Sequence, residues 1–600
     1  MLKYSTTFQV YSFFGSGKFC FSKIKFSIYI LNFFQQKKTF VSSQKELAKI
    51  PTKICFIKLK VTSFHCICKK INLLYLGVVL FAISCAKNEE SKRDHLVFRY
   101  NEHANISSLD PAFAKDQRNI WACHQLYNTL VELDEKLQIQ PSLASSWEVS
   151  EDGLTYLFNL REDVFFHTNE IFGTNEKRKL NVADVVFSLK RLTDPKIASS
   201  GSWIMQSVEE ISEVSANQVK IQLKQAFPPF LGLLSMKYAS IIPIEVGQTN
   251  FDFRKNPIGT GPFYFKRWEE NEKLVFRRNP LYFEKDKNGN QLPYLEAVAI
   301  TFLPEKQGEF MEFLQGKIDF MSGLHPSYKD ELITLSGELS AKYADRIAVQ
   351  KSPYLNTEYI GLYMDADNSL LKDKRFRQAL NYGLNREVMM KYLRNNVGIP
   401  ATKGFIPQGL PGALEKDRYA FQPEKAKALI QEVKSELGVN SLQLNIATNA
   451  SYLDLMEYVQ KEWAKLGVDV KIDVMPASTL LQQRSSGKLE AFRASWIADY
   501  PDAENYLSLF LSSNFSPNGP NYTHFNKSSF DSLYRKANQE IDVEKRINLY
   551  RQMDSLVMEN APVVPLFYDE VIRFQQKNID GLGINPLNLL DLRRVKKQAM

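Results

Sequence analysis

Hydrophobic residues recur with two different periods along this chain, and the period switches repeatedly. Leu154, Tyr156, Phe158 and Leu160 alternate after Glu151-Asp152-Gly153, which predicts a hairpin turning at the glycine. Between 181 and 195 the spacing becomes helical. Val182, Val185, Val186, Leu189 and Leu192 form one stripe, Asn181 is placed to cap it, and Asp194-Pro195 ends it. A second hairpin is predicted over 258–283, entered through Gly259 and Gly261, and residues 297–321 read as strand, helix, strand. Farther on, Phe376, Ala379, Leu380, Gly383 and Leu384 share one face of a helical run over 373–393. Ala426, Leu429, Ile430, Val433 and Leu437 share another, which stops at Gly438. Residues 442–498 then run β-α-β-α-β, so the fold class is α/β. The stretch ASWIADYPDAENYL, 494–507, falls at the carboxyl end of the last strand, where open α/β sheets bind ligands.

Composition changes the picture mainly at the amino end. The chain has 600 residues, enough for two or more lobes, and a formal charge of +9. That charge is local: residues 1–70 hold 13 lysines and one acid, Glu46, for +12, and 71–85 hold none. The remaining 515 residues therefore carry −3, which removes the electrostatic case for nucleic acid. Residues 1–70 show no sustained period. They read either as upstream sequence translated from a start set too early or as a genuine basic extension.

Lys69-Lys70 precede a 13-residue apolar run, Ile71 to Ile83. A membrane-spanning helix needs about 20 residues, so this length suits a signal-peptide core over 71–84. Ala82-Ile83-Ser84-Cys85 resembles a bacterial lipobox, with Ala82 where Leu is usual. Cys85 would then carry lipid and the polar run 86–95 would be a tether to the membrane surface. The alternative is an ordinary secretory signal with a chance cysteine. Cys20, Cys55, Cys66 and Cys68 precede this site, so Cys123 alone remains and no internal disulfide is expected.

Catalytic and cofactor signals fail on inspection. GSGK at 15–18 lacks the upstream glycine of a phosphate loop, and IGTGPF leads into a strand rather than a helix. In EKDKNGNQLPYLE, a calcium loop with Gly289 at its sixth position would have Leu295 at its twelfth, so a turn at Asn288-Gly289 fits better. The seven histidines do not cluster, and no nucleophile elbow appears. No catalytic set, metal site or cofactor is expected.

Seven phrases carry a resemblance: SLDPAF (108–113), PSLASSWEVSEDGLTYLFNLRED (141–163), NVADVVFSLKRLTDP (181–195), NPIGTGPFYF (256–265), KRFRQALNYGLNRE (374–387), WIADYPDAEN (496–505) and PVVPLFY (562–568). In this order, across residues 96–585, they resemble the extracytoplasmic solute-binding proteins of ABC importers, family 5, the oligopeptide- and dipeptide-binding type. Asn181-Val182 and Ala503 depart from the usual residues. The resemblance implies a two-lobed periplasmic-binding-protein fold of the class II type, with a hinge between lobes and an extra third domain. The first lobe would comprise 96–139, 236–339 and 561–600, the extra domain 140–235 and the second lobe 340–560. It also implies a lipid-anchored monomer outside the cytoplasm, not an enzyme, that passes peptides to a permease and its ATPase.

In peptide-binding members the Trp-x-x-Asp unit lies in the cleft, which here points to Trp496 and Asp499. The acid would pair with the ligand's α-ammonium group and the strand backbone with the ligand backbone. Extended peptides share those groups whatever their side chains, so the chemistry suits a reader of any sequence. The plain alternative for Asp499 is a turn residue before Tyr500-Pro501. Arg493 stands where some relatives place an arginine that reaches the ligand carboxylate. It shares strand parity with Asp499, although fully extended the two would be roughly 20 Å apart. Tyr359, Asn356, Trp121 and Tyr127 are further candidates for lining the cleft, and Asn105 to Ser107 could offer groups from the first lobe. The same scaffold also serves nickel chelates, haem and oligosaccharides, and a membrane-anchored sensor or hydrolase is the remaining alternative.

Overall fold

The computed structural model describes residues 96–174, 177–248 and 251–599. The segments read as extension, signal run, lipidated Cys85 and tether all lie outside the described residues.

Among the described residues the main sheet has eleven strands, parallel around Leu442–Thr448 and around Val97–Asn101, antiparallel in the middle and antiparallel again at the edge made by Lys273–Arg278 and Phe263–Glu269. At one end Leu442–Thr448 lies between Val468–Val474 and Ala491–Ile497, parallel to both. At the other, Val97–Asn101 lies between Ala297–Thr301 and Phe320–Ser322, again parallel to both. The predicted strand-helix-strand at 297–321 is therefore a crossover around Val97–Asn101 rather than an adjacent pair. Two long antiparallel strands, Ile347–Leu362 and Val563–Gln576, join the ends. Residues 347–353 pair beside the Val97–Asn101 end and 357–361 beside the Leu442–Thr448 end, and the ladder is broken between Pro353 and Thr357. Proline supplies no N–H to a ladder, and such irregularities bend a strand. The break falls where this strand passes from one half of the sheet to the other.

A separate four-stranded antiparallel sheet is ordered 144–149, 155–160, 218–223, 208–215. Helix Val182–Arg191 packs on it, started by a reciprocal Asn181–Asp184 capping box. Val182, Val185, Leu189 and Leu192 join its core with Tyr156, Phe158 and Phe230. The two ends of the main sheet hold distinct cores, one around Phe98, Trp121 and Phe320, the other around Trp463, Ile446 and Leu380.

Two expectations need correction. The helical run over 373–393 is two helices, Lys374–Tyr382 and Arg386–Leu393. Asn385 breaks it because its side chain accepts from the Val388 N–H and caps a new start. Helix Pro423–Leu437 buries Ala426, Ile430 and Val433 but leaves Leu437 exposed in its last turn.

Candidate ligand-binding site

Strand Ala491–Ile497 is held on one side by Ile347–Leu362, with Arg493 opposite Ile360, Ser495 opposite Glu358 and Ile497 opposite Asn356. On its other side Leu442–Thr448 reaches only Ala491 and Phe492. Residues 493–497 therefore present one strand edge with no ladder partner among the described residues. Beyond the strand, Ala498 donates its N–H to Leu355 O at 2.8 Å and the chain turns through Tyr500-Pro501.

Trp496 and Asp499 are brought together by a residue that sequence reasoning missed. Asn505 is buried, and its Oδ1 accepts from Trp496 Nε1 at 2.9 Å and from the Asp499 N–H at 3.2 Å. Its side chain also hydrogen-bonds the Asp499 carboxylate. Asn505 sits inside the quoted phrase, but nothing in its spacing marks the contact. The Trp496 ring is half-buried against a core containing Tyr359 and Phe405.

Asp499 stays accessible to water over more than a third of its surface, yet burial pushes its carboxyl up to about 6, with only the Asn505 bond opposing. No cation contributes to its environment. The Tyr238 hydroxyl is pushed up by burial, against a Ser200 hydrogen bond, and the Asp499 charge adds to the rise, so the two groups lie within electrostatic reach. Tyr500 packs into the core of the separate sheet, among Phe230 and Leu233, where a side chain at Gly232 would meet it at 3.3 Å. Asp499 thus stands at a seam between two bodies of the molecule. Behind it, Tyr500 and Tyr534 both donate to Glu504, whose carboxyl burial pushes up to about 7.

The other candidates are placed differently. Arg493 is buried, donates through Nη2 to Glu358 Oε2 and lies 3.2 Å over the Tyr452 ring. Burial alone would lower its pKa, but the Glu358 carboxylate and, after it, the Tyr452 side chain together more than offset that. Burial raises the Glu358 carboxyl, against the pull of Arg493. The guanidinium keeps its charge in any protein and so favours the ionised form of Glu358. Asn356 donates to Glu358 Oε1 at 3.1 Å. Tyr359 points into the core, edge-on to Phe405 with ring centroids 5.1 Å apart. Asn105 is engaged by Asn271, to which it donates at 2.6 Å and from whose N–H it accepts at 3.1 Å. Trp121 donates to Asn588 O and Tyr127 to Leu109 O, both inside the core of the first end.

Among the described residues no cluster of three metal-ligating side chains occurs, and no helix is long and apolar enough to cross a membrane. Cys123 is buried and free. A cavity of about 920 Å³ lies elsewhere, between helix Val182–Arg191 and strand Val208–Ser215, and shares no residue with this site. Its polar lining mixes Lys190, Arg191 and Lys196 with Asp194, Glu210 and Glu213, so no single charge is favoured there.

Comparisons with known proteins give the family. The profile of bacterial extracellular solute-binding proteins, family 5 Middle, matches residues 138–518. The dipeptide-binding protein of Escherichia coli (strain K12) is 27% identical over 543 residues, 86% of this chain and 97% of that protein. Heme-binding protein A of Haemophilus influenzae is 28% identical over 467 residues, 74% of this chain and 81% of that one. Among solved structures, the ABC transporter-associated periplasmic binding protein DppA from Helicobacter pylori, in complex with peptide STSA, superposes with a TM-score of 0.69 at 25% identity, covering 84% of this chain and 98% of that one. A two-lobed fold, a matched profile over more than half the length and near-complete relatives named as binding proteins agree: the chain belongs to the bacterial extracellular solute-binding proteins of family 5, which bind solutes outside the cytoplasm and are not enzymes.

Proposed function

We propose that this protein captures peptides with a free amino terminus and delivers them to an ABC importer. The observation that carries the reading is Asp499: an accessible carboxylate with no cation of its own, two residues beyond a strand edge with no ladder partner. An extended peptide added to edge 493–497 would place backbone amides against backbone and its ammonium group near Asp499. Trp496 supplies the adjoining wall. Closure of the lobes around the ligand would be favoured because contacts to both sides, Asp499 on one and the 237–239 turn on the other, coexist only when closed. Support also comes from relatives whose names specify dipeptides or di- and tripeptides. Haem, named for another relative, presents carboxylates that Asp499 would repel.

Cys85 is proposed to carry the lipid anchor, with 86–95 as tether. The folded part would then work at the membrane surface as a monomer beside the permease and its ATPase.

Asp499→Asn tests the site. A charge-assisted hydrogen bond contributes roughly 1.5–3 kcal/mol, so affinity for a free-amine peptide should fall about ten- to hundredfold with the melting temperature little changed. Equal affinities for wild type and variant would remove Asp499 from the site.

A further inference from the structure

Arg493 stands where some relatives place an arginine that reaches the ligand carboxylate, but its charge is already answered within the chain. Glu358 projects from the neighbouring strand on the same face and takes the Nη2 hydrogen bond. Both side chains are buried, at 7% and 2% exposure, and Tyr452 covers the guanidinium. The next cation along this wall, Arg394, is likewise paired, with Asp569 at 2.7 Å. Arg573 is held by oxygens of Gly583, Asn588 and Leu589. A ligand carboxylate docking on Arg493 would leave the Arg493–Glu358 unit with a net buried negative charge, which the low-dielectric surroundings disfavour.

The same spot holds two polar atoms of opposite kind without a partner. Arg493 Nε is a donor, Asn356 Oδ1 is an acceptor, and both are buried. Their side chains bond the two oxygens of one carboxylate, Asn356 on Oε1 and Arg493 on Oε2 of Glu358, so both atoms belong to side chains that border the same ion pair. A neutral amide brings one acceptor and one donor and complements them; a carboxylate brings acceptors only.

We infer that Glu358 is a specificity-determining residue. By neutralising Arg493 it turns a carboxylate-reading position into one that takes an uncharged peptide amide. The protein then reads the amino end of its ligand and leaves the carboxyl end unread. The ligand class is peptides that run on past Arg493, with or without a terminal charge. This rests on the assignment of Asp499 to the ligand ammonium.

The test is calorimetric titration of the folded protein with trialanine and with trialanine amide, both carrying free amino ends. The two are expected to bind within about twofold of each other. A tenfold or larger loss on amidation overturns the inference while leaving Asp499 as the ammonium partner. Binding by neither peptide removes the Asp499 assignment and the inference with it. Glu358→Gln keeps the side-chain shape and frees the positive charge, so it should favour the free acid over the amide by about tenfold. A Glu358→Gln protein that melts like wild type and shows no such preference also overturns the inference. If that variant fails to fold, the acid–amide comparison in wild type decides alone.

Discussion

Asn505 holds Asp499 from two sides: its Oδ1 accepts the Asp499 backbone N–H, and its side chain hydrogen-bonds the Asp499 carboxylate. The first bond fixes where the carboxylate stands, and the second favours its ionised form. Because burial pushes the group up to about 6, the site should titrate in an accessible range. An ammonium ligand binds the ionised form, so affinity should be flat above pH 6 and fall as pH drops below it, by up to about tenfold per unit. Above about pH 8 affinity should fall again as the peptide amine loses its own proton. Removing the Asn505 donor should raise the Asp499 pKa, so in Asn505→Ala the lower midpoint moves to higher pH. Titration of a free-amine peptide from pH 4.5 to 9 reads both midpoints.

Glu504 carries a separate stability prediction. Its folded carboxyl is pushed up to about 7 from the ordinary value of 4.5, so the folded state holds a proton that the unfolded chain has released. Stability from this group is therefore fully present below pH 4.5 and lost as pH rises to 7. Glu504→Gln removes that loss. Its melting temperature relative to wild type should climb between pH 4.5 and 7 and then level off, and thermal melts across that range check the slope.

Gly261 and Gly308 should respond oppositely to alanine. A Cβ at Gly261 would come within 2.6 Å of the Leu126 carbonyl oxygen, and backbone cannot yield as a side chain can. Gly261→Ala should cost about 3 kcal/mol or more, or abolish folding. At Gly308, in helix Lys306–Leu314, the nearest atom is 3.9 Å away. There alanine should be neutral or stabilise by up to about 1 kcal/mol, and denaturant melts separate the two.

Gly232 tests the seam. A Cβ there would stand 3.3 Å from Tyr500 Cβ, so even a methyl group would press on the tyrosine. Gly232→Leu should wedge the two bodies apart, raise the radius of gyration in small-angle scattering and weaken peptide binding about tenfold, with Asp499 itself untouched.

Much of this was legible in the sequence, for local reasons. The β-α-β-α-β run over 442–498 could be read because each element's period is set within a few residues, and Trp496 and Asp499 are close in the chain. IGTGPF leads into strand Phe263–Glu269, and the approach of the Leu126 backbone explains Gly259 and Gly261. Long-range pairing was not legible. Glu358 lies 135 residues from Arg493, and no pattern in either segment announces their ion pair. The pairing of Ile347–Leu362 with Val563–Gln576 is equally invisible, since strand register depends on chain brought together only on folding. The break at Asn385 was missed because its side-chain cap interrupts an otherwise continuous apolar stripe.

The central claim is that the site grips a free peptide ammonium, and the most direct measurement is native mass spectrometry of the folded protein titrated with one short peptide, free and N-acetylated. Binding of the free form with at least a tenfold loss on acetylation is the predicted result. Equal binding of both forms, or a retained adduct whose mass fits no peptide, would contradict it.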